Sequence, residues 1–157
     1  MDSIDRKIIA ELQSDGRLSI TELAERVNLS LSPYHRRLRA LEQEGVITGY
    51  RANLDPLKMG FNFLAIVFAT LKEGDKKAVS AFEEAVEEIP QIVLAQRLFG
   101  DPDYLMHVVT RDLPAFQKLY DDKLSAMPGV QHLRSTLVMK TVVQDRPFPL
   151  ESLNLTR

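Results

Sequence analysis

The feature that most constrains this chain is a pair of closely spaced helix signals within residues 18–50. Ser19 followed by Glu22 is an S-x-x-E capping box, in which each side chain bonds the backbone N–H of the other residue. This box predicts a short helix that starts near Ile20 and ends near Asn28, a residue that tolerates the left-handed conformation. Only a tight turn then separates it from the next helix signal.

A second helix is predicted immediately after that turn. Ser30 or Ser32 can cap it, and Pro33 is tolerated because it falls within the first turn. Gly45 ends the helix, because glycine readily adopts the left-handed conformation found after a helix. Apolar side chains recur at helical spacing and predict one buried face: Leu31, Tyr34, Leu38 and Leu41. The two helices together are typical of a helix-turn-helix.

The second helix is also basic, with three arginines and no acid between Leu29 and Leu41. Short polar and guanidinium groups near a helix N-terminus fit the major groove of double-stranded DNA, where they reach base edges and phosphates. A solvated basic face on an ordinary helical hairpin is the alternative interpretation. We assign Arg37 to phosphate and Arg51 to the flanking DNA backbone. The full set of predicted DNA-binding residues is Ser30, Ser32, Pro33, His35, Arg36, Arg37, Arg39 and Arg51.

Helix and strand patterns organise the rest of the chain. A helix from Asp2 or Ser3 to about Asp15 completes a three-helix domain, and a wing or linker strand is predicted around 47–52. Beyond Gly60 the order of elements is βαββαβ, with strands predicted over 63–71, 92–98, 104–110 and 130–143. This order predicts a ferredoxin-like sandwich and an α+β fold class. Its helices leave one sheet face bare, and we expect a second subunit to bury that face.

Composition excludes several classes of protein. The chain has no cysteine, so neither a disulfide nor a thiolate metal site can form. No signal peptide is apparent, and the longest apolar run, 63–69, is too short to span a bilayer, so we expect a cytoplasmic protein without a membrane partner. The net charge of −2 does not exclude DNA binding, because the basic residues gather on one helix and the local field decides.

No pattern of catalytic residues is present in the sequence. The histidines His35, His107 and His132 have no i, i+4 or H-x-H spacing, which argues against a metal site. Neither a glycine-rich phosphate loop nor a nucleophile elbow occurs. We therefore expect no cofactor, no metal ion and no enzymatic activity.

Five motifs occur in order along nearly the whole chain: 4–19, 22–50, 54–60, the sequence GDPDY over 100–104, and PGV over 128–130. Each motif is loose alone, but the set in this order closely resembles the Lrp/AsnC family, the feast/famine transcription regulators of bacteria and archaea. The resemblance implies a helix-turn-helix domain, winged or simple, and a linker strand. It also implies a βαββαβ (RAM-type) domain that forms homodimers, assembles further to an octamer, and often senses an amino acid.

The resemblance divides the chain by role. It implies a helix-turn-helix DNA-binding domain over 1–50 and a linker strand and turn over 51–61. The ferredoxin-like domain, for oligomerisation and effector binding, occupies 62–143, and a C-terminal tail covers 144–157. The function implied is sequence-specific transcriptional regulation modulated by an amino acid or a related small molecule.

The GDPDY loop has two interpretations. In the plainer one it is a polar hairpin turn, since glycine, proline and aspartate are turn residues. In the one that the family motif supports, it lies at a subunit interface and binds the effector through Gly100, Asp101, Asp103 and Tyr104. A carboxylate, Asp103 before Asp101, would then accept hydrogen bonds from the α-ammonium group of an amino acid. Pro102 departs from the family pattern, in which this position is more often aromatic or another non-proline residue.

Two other functions stay open at this point. One is an architectural protein of the same fold that wraps DNA with little or no effector response. The other is a small-molecule-binding or enzymatic ferredoxin-like module with a protein-binding helical domain. Insensitivity of DNA binding to every amino acid would favour the first, whereas the arginine-rich helix and the missing catalytic pattern argue against the second.

Overall fold

The computed structural model describes residues 1–150, so the last seven residues of the predicted tail lie outside the described part. The chain divides into two compact units. One unit contains residues 1–53 and the C-terminal segment from residue 143, and the other contains residues 54–142. The elements are α1 (Ser3–Ser14), α2 (Ile20–Arg26), α3 (Leu31–Gln43), β1 (Phe63–Leu71), α4 (Lys76–Glu87), β2 (Ile92–Arg97), β3 (Tyr104–Thr110), α5 (Leu113–Asp122) and β4 (Val130–Leu137), with a 3₁₀ turn over Leu124–Ala126.

The helices of the N-terminal unit begin and end where local chemistry favours it. The predicted capping box is present, because Glu22 N donates to Ser19 Oγ at 3.2 Å and Ser19 N donates to Glu22 Oε2 at 2.8 Å. Asn28 has a φ of 57°, which ends α2, and Gly45 has a φ of 71° just after α3. The three helices share one small core made of Ile8, Leu23, Ala24, Val27, Tyr34 and Leu41.

The second unit is a four-stranded antiparallel sheet with two helices on one face. The strand order is β2-β3-β1-β4, which confirms the predicted ferredoxin-like fold. Asp75 and Asp112 cap α4 and α5 by accepting from Ala78 N and Ala115 N, both at 2.8 Å. Alternate residues of β1 and β3 point into the core beneath the helices, among them Ala65, Val67, Ala69, Met106 and Val108.

The other side of this sheet, which we call the open face, is covered by neither α4 nor α5. By strand register it carries Leu64, Ile66, Phe68 and Thr70 on β1, Leu105, His107 and Val109 on β3, and His132, Arg134 and Thr136 on β4. The β1 and β3 residues of this set are only half-buried, so apolar side chains remain partly accessible to water. The predicted bare face is therefore present in the described chain.

Two strand predictions were wrong for the described residues. Residues 47–52 form no strand, because a strand needs a neighbour to bond with and this segment pairs with none in the chain. The last strand ends at Leu137 rather than at 143. Its partner β1 begins at Phe63, and the last backbone bond of the pair runs from Val138 N to Leu64 O at 2.9 Å.

Candidate functional site

One face of α3 presents polar and basic side chains to solvent. It forms a shallow depression of about 600 Å³ lined by Ser32, His35, Arg36, Arg39, Ala40 and Gln43. The helix is held from its other side, because Tyr34 and Leu41 are buried in the three-helix core. Within residues 1–150, neither Arg36 nor Arg39 forms an ion pair. Four of the predicted DNA-binding residues thus share one surface, which we call the α3 face.

Arg37 points away from this surface and toward α1. Its guanidinium donates to Asp2 Oδ2 at 2.6 Å and to Asp5 Oδ1 at 2.8 Å. The hydrogen bond from the backbone N–H of Asp5, and then the one from Arg37, lower the pKa of Asp2 to about 2. A phosphate contact by Arg37 would have to compete with these two carboxylates.

The other predicted DNA-binding residues lie at the edges of α3. Ser30 occupies the N-cap position, but its side chain makes no capping hydrogen bond. Pro33 is half-buried in the first turn, where the missing N–H costs nothing. Arg51 is exposed in the segment that follows the helix. All three therefore lie outside the α3 face.

A second depression, which we call the sheet-face cavity, lies on the open face near the loop between β2 and β3. Its volume is about 320 Å³, and its lining residues are Phe68, Thr70, Asp101, Pro102, Gln131, His132 and Arg134. Thr70 Oγ1 lies 3.4 Å from Asp101 Oδ1. The guanidinium carbon of Arg134 lies 4.8 Å from the centroid of the Phe68 ring, in a cation–π contact. A carboxylate and a guanidinium thus border one small cavity.

The structure separates the four residues predicted for the effector. Asp101 lines the sheet-face cavity, whereas Asp103 Oδ2 accepts from Leu71 N at 2.8 Å, where the pairing of β1 with β4 is irregular. Tyr104 is buried in the core and its hydroxyl donates to Glu83 Oε1 at 2.7 Å. Burial and this hydrogen bond raise the pKa of Tyr104 to about 12. Gly100 has a φ of 137°, a conformation that glycine adopts easily.

Sequence reasoning missed most of the cavity. Thr70, Gln131, His132 and Arg134 were not assigned to it, because they belong to strands far from the GDPDY loop in the sequence. The available signal was the two-residue alternation of β1 and β4, which places Phe68 opposite Arg134 and Thr70 opposite His132 once the register is known.

Among residues 1–150, no group of three or more His, Asp or Glu side chains could hold a metal ion. No helix in this range is long and apolar enough to cross a membrane.

Two family models match the chain. A family model described as the Lrp/AsnC ligand binding domain matches residues 64–148, and a winged helix-turn-helix DNA-binding model matches residues 1–48. The proline dehydrogenase transcriptional activator of Rhodobacter capsulatus is 39% identical over 144 residues, which is 92% of this chain and 94% of that protein. The leucine-responsive regulatory protein of Escherichia coli K12 is 40% identical over 152 residues, or 97% of this chain and 93% of that protein.

The fold also matches solved structures. A transcriptional regulator from Neisseria meningitidis, crystallised as a complex with L-Met, aligns with a TM-score of 0.89 and 35% identity. The alignment covers 96% of this chain and 97% of that one. An AsnC family transcriptional regulator from Agrobacterium tumefaciens aligns with the same TM-score at 32% identity, over 98% and 99% of the two chains.

Proposed function

We propose that the effector of this protein is an amino acid bound in the sheet-face cavity, because the chain belongs to the Lrp/AsnC family of DNA-binding transcriptional regulators. The chain is a DNA-binding transcriptional regulator with a ligand-binding domain. The observation that carries the proposal is the carboxylate of Asp101 and the guanidinium of Arg134 on one cavity.

These two groups suit the two charges of an α-amino acid. A carboxylate accepts hydrogen bonds from an α-ammonium group, and a guanidinium can bind an α-carboxylate through two parallel N–H donors. Asp103 and Tyr104 are already engaged by Leu71 and Glu83, so we place the ammonium group against Asp101. Thr70 supplies a further hydroxyl at the same end of the cavity.

The rest of the cavity favours an apolar side chain on the ligand. Phe68 and Pro102 contribute apolar surface beside the charged groups. The related Neisseria meningitidis structure is described as an L-Met complex, and the related Escherichia coli protein is described as leucine-responsive. Methionine and leucine are therefore the first ligands to test.

We further propose that a second copy of the chain covers the open face and encloses this cavity. A half-buried apolar sheet face is costly to leave in water, and homodimers commonly bury such surfaces. Enclosure would also exclude water from the ammonium and carboxylate groups of the bound amino acid and strengthen their pairing with Asp101 and Arg134. We also propose that the protein is cytoplasmic and that its dimers assemble to an octamer. Sedimentation equilibrium measures the mass of the assembly directly.

DNA recognition is assigned to the α3 face. Arg36 and Arg39 are unpaired in the described chain, and they project from a helix with Ser32 and His35 on the same side. Bidentate contact from arginine to the guanine edge is the commonest specific interaction in the major groove. We propose that these four residues read or position the operator.

Calorimetric titration of the protein with each of the twenty L-amino acids tests the effector proposal. At least one apolar amino acid should bind wild-type protein and shift its affinity for a duplex selected from a random pool. Asp101→Asn and Arg134→Gln should each abolish this binding, whereas Arg111→Gln, which changes an exposed arginine that does not line the cavity, should retain it. If no amino acid binds, the effector proposal is wrong and the architectural DNA-wrapping role is favoured.

A further inference from the structure

The C-terminal segment joins the DNA-binding unit through two hydrogen bonds. Phe148 N donates to Gln13 Oε1 at 2.7 Å, and Gln13 Nε2 donates to Phe148 O at 3.4 Å. One side-chain amide on α1 thus bonds both polar groups of a single tail residue. Two bonds fix the direction of the tail as well as its position, so residues 145–148 are held on the N-terminal unit.

The attached segment forms one wall of a groove, which we call the tail groove. The other walls are the end of α1 with the following turn, residues 12–17, and the segment after α3, residues 48–53. The volume of the tail groove is about 1140 Å³. Pockets for small molecules usually occupy about 300 to 1,000 Å³, so the tail groove is slightly larger than a usual small-molecule pocket.

The lining of the tail groove is rich in hydrogen-bond donors of the types that proteins use to contact phosphate. Arg17, Arg51 and Arg146 each come from a different wall, and none forms an ion pair within the described residues. Two acids are also present: Asp15 accepts from the backbone N–H of Arg17 at 2.9 Å, and Asp145 lies beside Arg146 in the sequence. Ser14, Thr48 and Asn53 add neutral donors to the lining.

The tail groove adjoins the recognition helix. The segment that forms the wall over residues 48–53 leaves α3 at Gly45 and is bound back to it, since Ile47 N donates to Leu41 O at 3.1 Å. The Tyr50 hydroxyl donates to Glu42 Oε1 at 3.0 Å, which holds this wall against the last turn of α3. The tail groove therefore lies beside the C-terminal end of α3.

We propose that the C-terminal tail completes a phosphate-binding groove, in which Arg146 joins Arg17 and Arg51 in contacting the DNA backbone beside the site that α3 reads. The inference rests on DNA binding by the α3 face and adds a contact from outside the helix-turn-helix. Gln13 is a positioning residue, because its amide holds the segment that carries Arg146. Phosphate contacts carry no sequence information, so the tail groove adds affinity and salt dependence without adding specificity.

The salt dependence of binding to a random-sequence duplex tests the proposal. The slope of log affinity against log salt is negative, and its size grows with the number of phosphate contacts. Removing one contact lowers the size of the slope by about 0.9 for each subunit engaged. Arg146→Ala should lower the slope by this amount, and Arg146→Lys should retain it because the positive charge remains. Lys140→Ala removes an equally exposed cation a few residues upstream and outside the tail groove, so it should leave the slope unchanged.

The positioning role of Gln13 needs a second variant. Gln13→Ala should lower the slope as far as Arg146→Ala does, and the double variant should lower it no further, because both changes remove the same contact. Thermal unfolding of Arg146→Ala should stay close to wild type, since Arg146 forms no hydrogen bond or ion pair within the described residues. A slope for Arg146→Ala equal to that of Lys140→Ala would overturn the inference. That result would not affect the assignment of DNA binding to the α3 face. Unchanged binding by a double variant, Arg36→Ala with Arg39→Ala, would overturn that assignment instead.

Discussion

The α3 face and the sheet-face cavity differ in how their residues are spread along the chain. All six residues of the α3 face lie within one helix of 13 residues. The cavity takes its residues from β1, from the loop before β3, and from β4. A helical period brings sequence neighbours onto one surface, whereas a sheet brings distant residues together only after its strands have paired. A site of the first kind can be found by inspection, and a site of the second kind needs the fold.

The two units also differ in what stabilises them. The core of the N-terminal unit has six buried residues among those described, and the core of the sheet unit has fifteen. The smaller unit relies more on capping boxes at α1 and α2 and on ion pairs between helices, such as Arg26 with Glu11. A small core supplies little net stability, so local polar contacts matter more there.

The largest effect is expected on the α3 face. Replacing Arg36 and Arg39 together with alanine should reduce affinity for a selected duplex by about 100-fold or more, because each base-reading arginine contributes about 1–3 kcal/mol. Fluorescence anisotropy with the selected duplex measures this loss. Replacing Lys76 and Lys77 on α4 removes the same charge from the other unit and should leave specific binding within a few-fold of wild type. Retention of specific binding by the arginine variant would remove α3 from the groove.

The next effect separates two neighbouring aspartates of the sheet unit. Asp103→Ala should lower the free energy of unfolding by about 1–3 kcal/mol, because Leu71 N loses its acceptor in a partly buried position. Asp101→Ala should change stability little, since Asp101 is exposed and its contact with Thr70 is 3.4 Å long, but it should abolish effector binding. Urea unfolding and calorimetric titration of both variants measure the two effects. Equal stability losses would contradict the separate roles.

These two aspartates show where sequence reasoning stopped. The motif predicted a polar loop with two carboxylates, but nothing local indicates which one turns toward Leu71 and which toward the cavity. The same limit applies to Arg134, whose place over Phe68 follows from strand register. By contrast, the Ser19–Glu22 box and the end of α2 at Asn28 are local events, and their predictions were confirmed.

Longer-range pairing explains the remaining differences. Residues 47–52 have the composition of a strand, but a strand forms only beside a partner, and the described chain offers none. Arg37 lies on the flank of α3, and only the packing of α1 against α3 shows that Asp2 and Asp5 engage it. The attachment of residues 145–148 to Gln13 joins residues 135 positions apart in the sequence, and no sequence pattern predicts it.

A smaller effect is expected from Arg37, the neighbour of the α3 face. Arg37→Ala should lower the melting temperature of the N-terminal unit, because Asp2 and Asp5 then face each other without a cation. The salt dependence of DNA binding should stay at the wild-type slope, since the guanidinium is held by α1. Circular dichroism and anisotropy across a salt series measure the two quantities. A slope lower by about 0.9 per subunit would instead support the predicted phosphate contact.

The smallest expected effect is a pH dependence confined to the start of α1. Hydrogen bonds from the Asp5 backbone and from Arg37 hold the pKa of Asp2 at about 2, below its ordinary 3.8. A carboxylate with a depressed folded-state pKa stabilises the fold when the pH is above its unfolded-state pKa, and it loses that contribution as the pH falls.

The variant Asp2→Asn keeps a capping side chain but cannot ionise. The stability difference between wild type and Asp2→Asn should therefore be constant above about pH 5 and close as the pH falls toward 2, as followed by urea unfolding. The gap should also shrink in high salt, because Asp2 is exposed and its ion pair is screened. A gap that stays constant down to pH 2 would mean that Asp2 acts on α1 only as a neutral cap. The difference between the two units would then rest on the sizes of their cores rather than on charge.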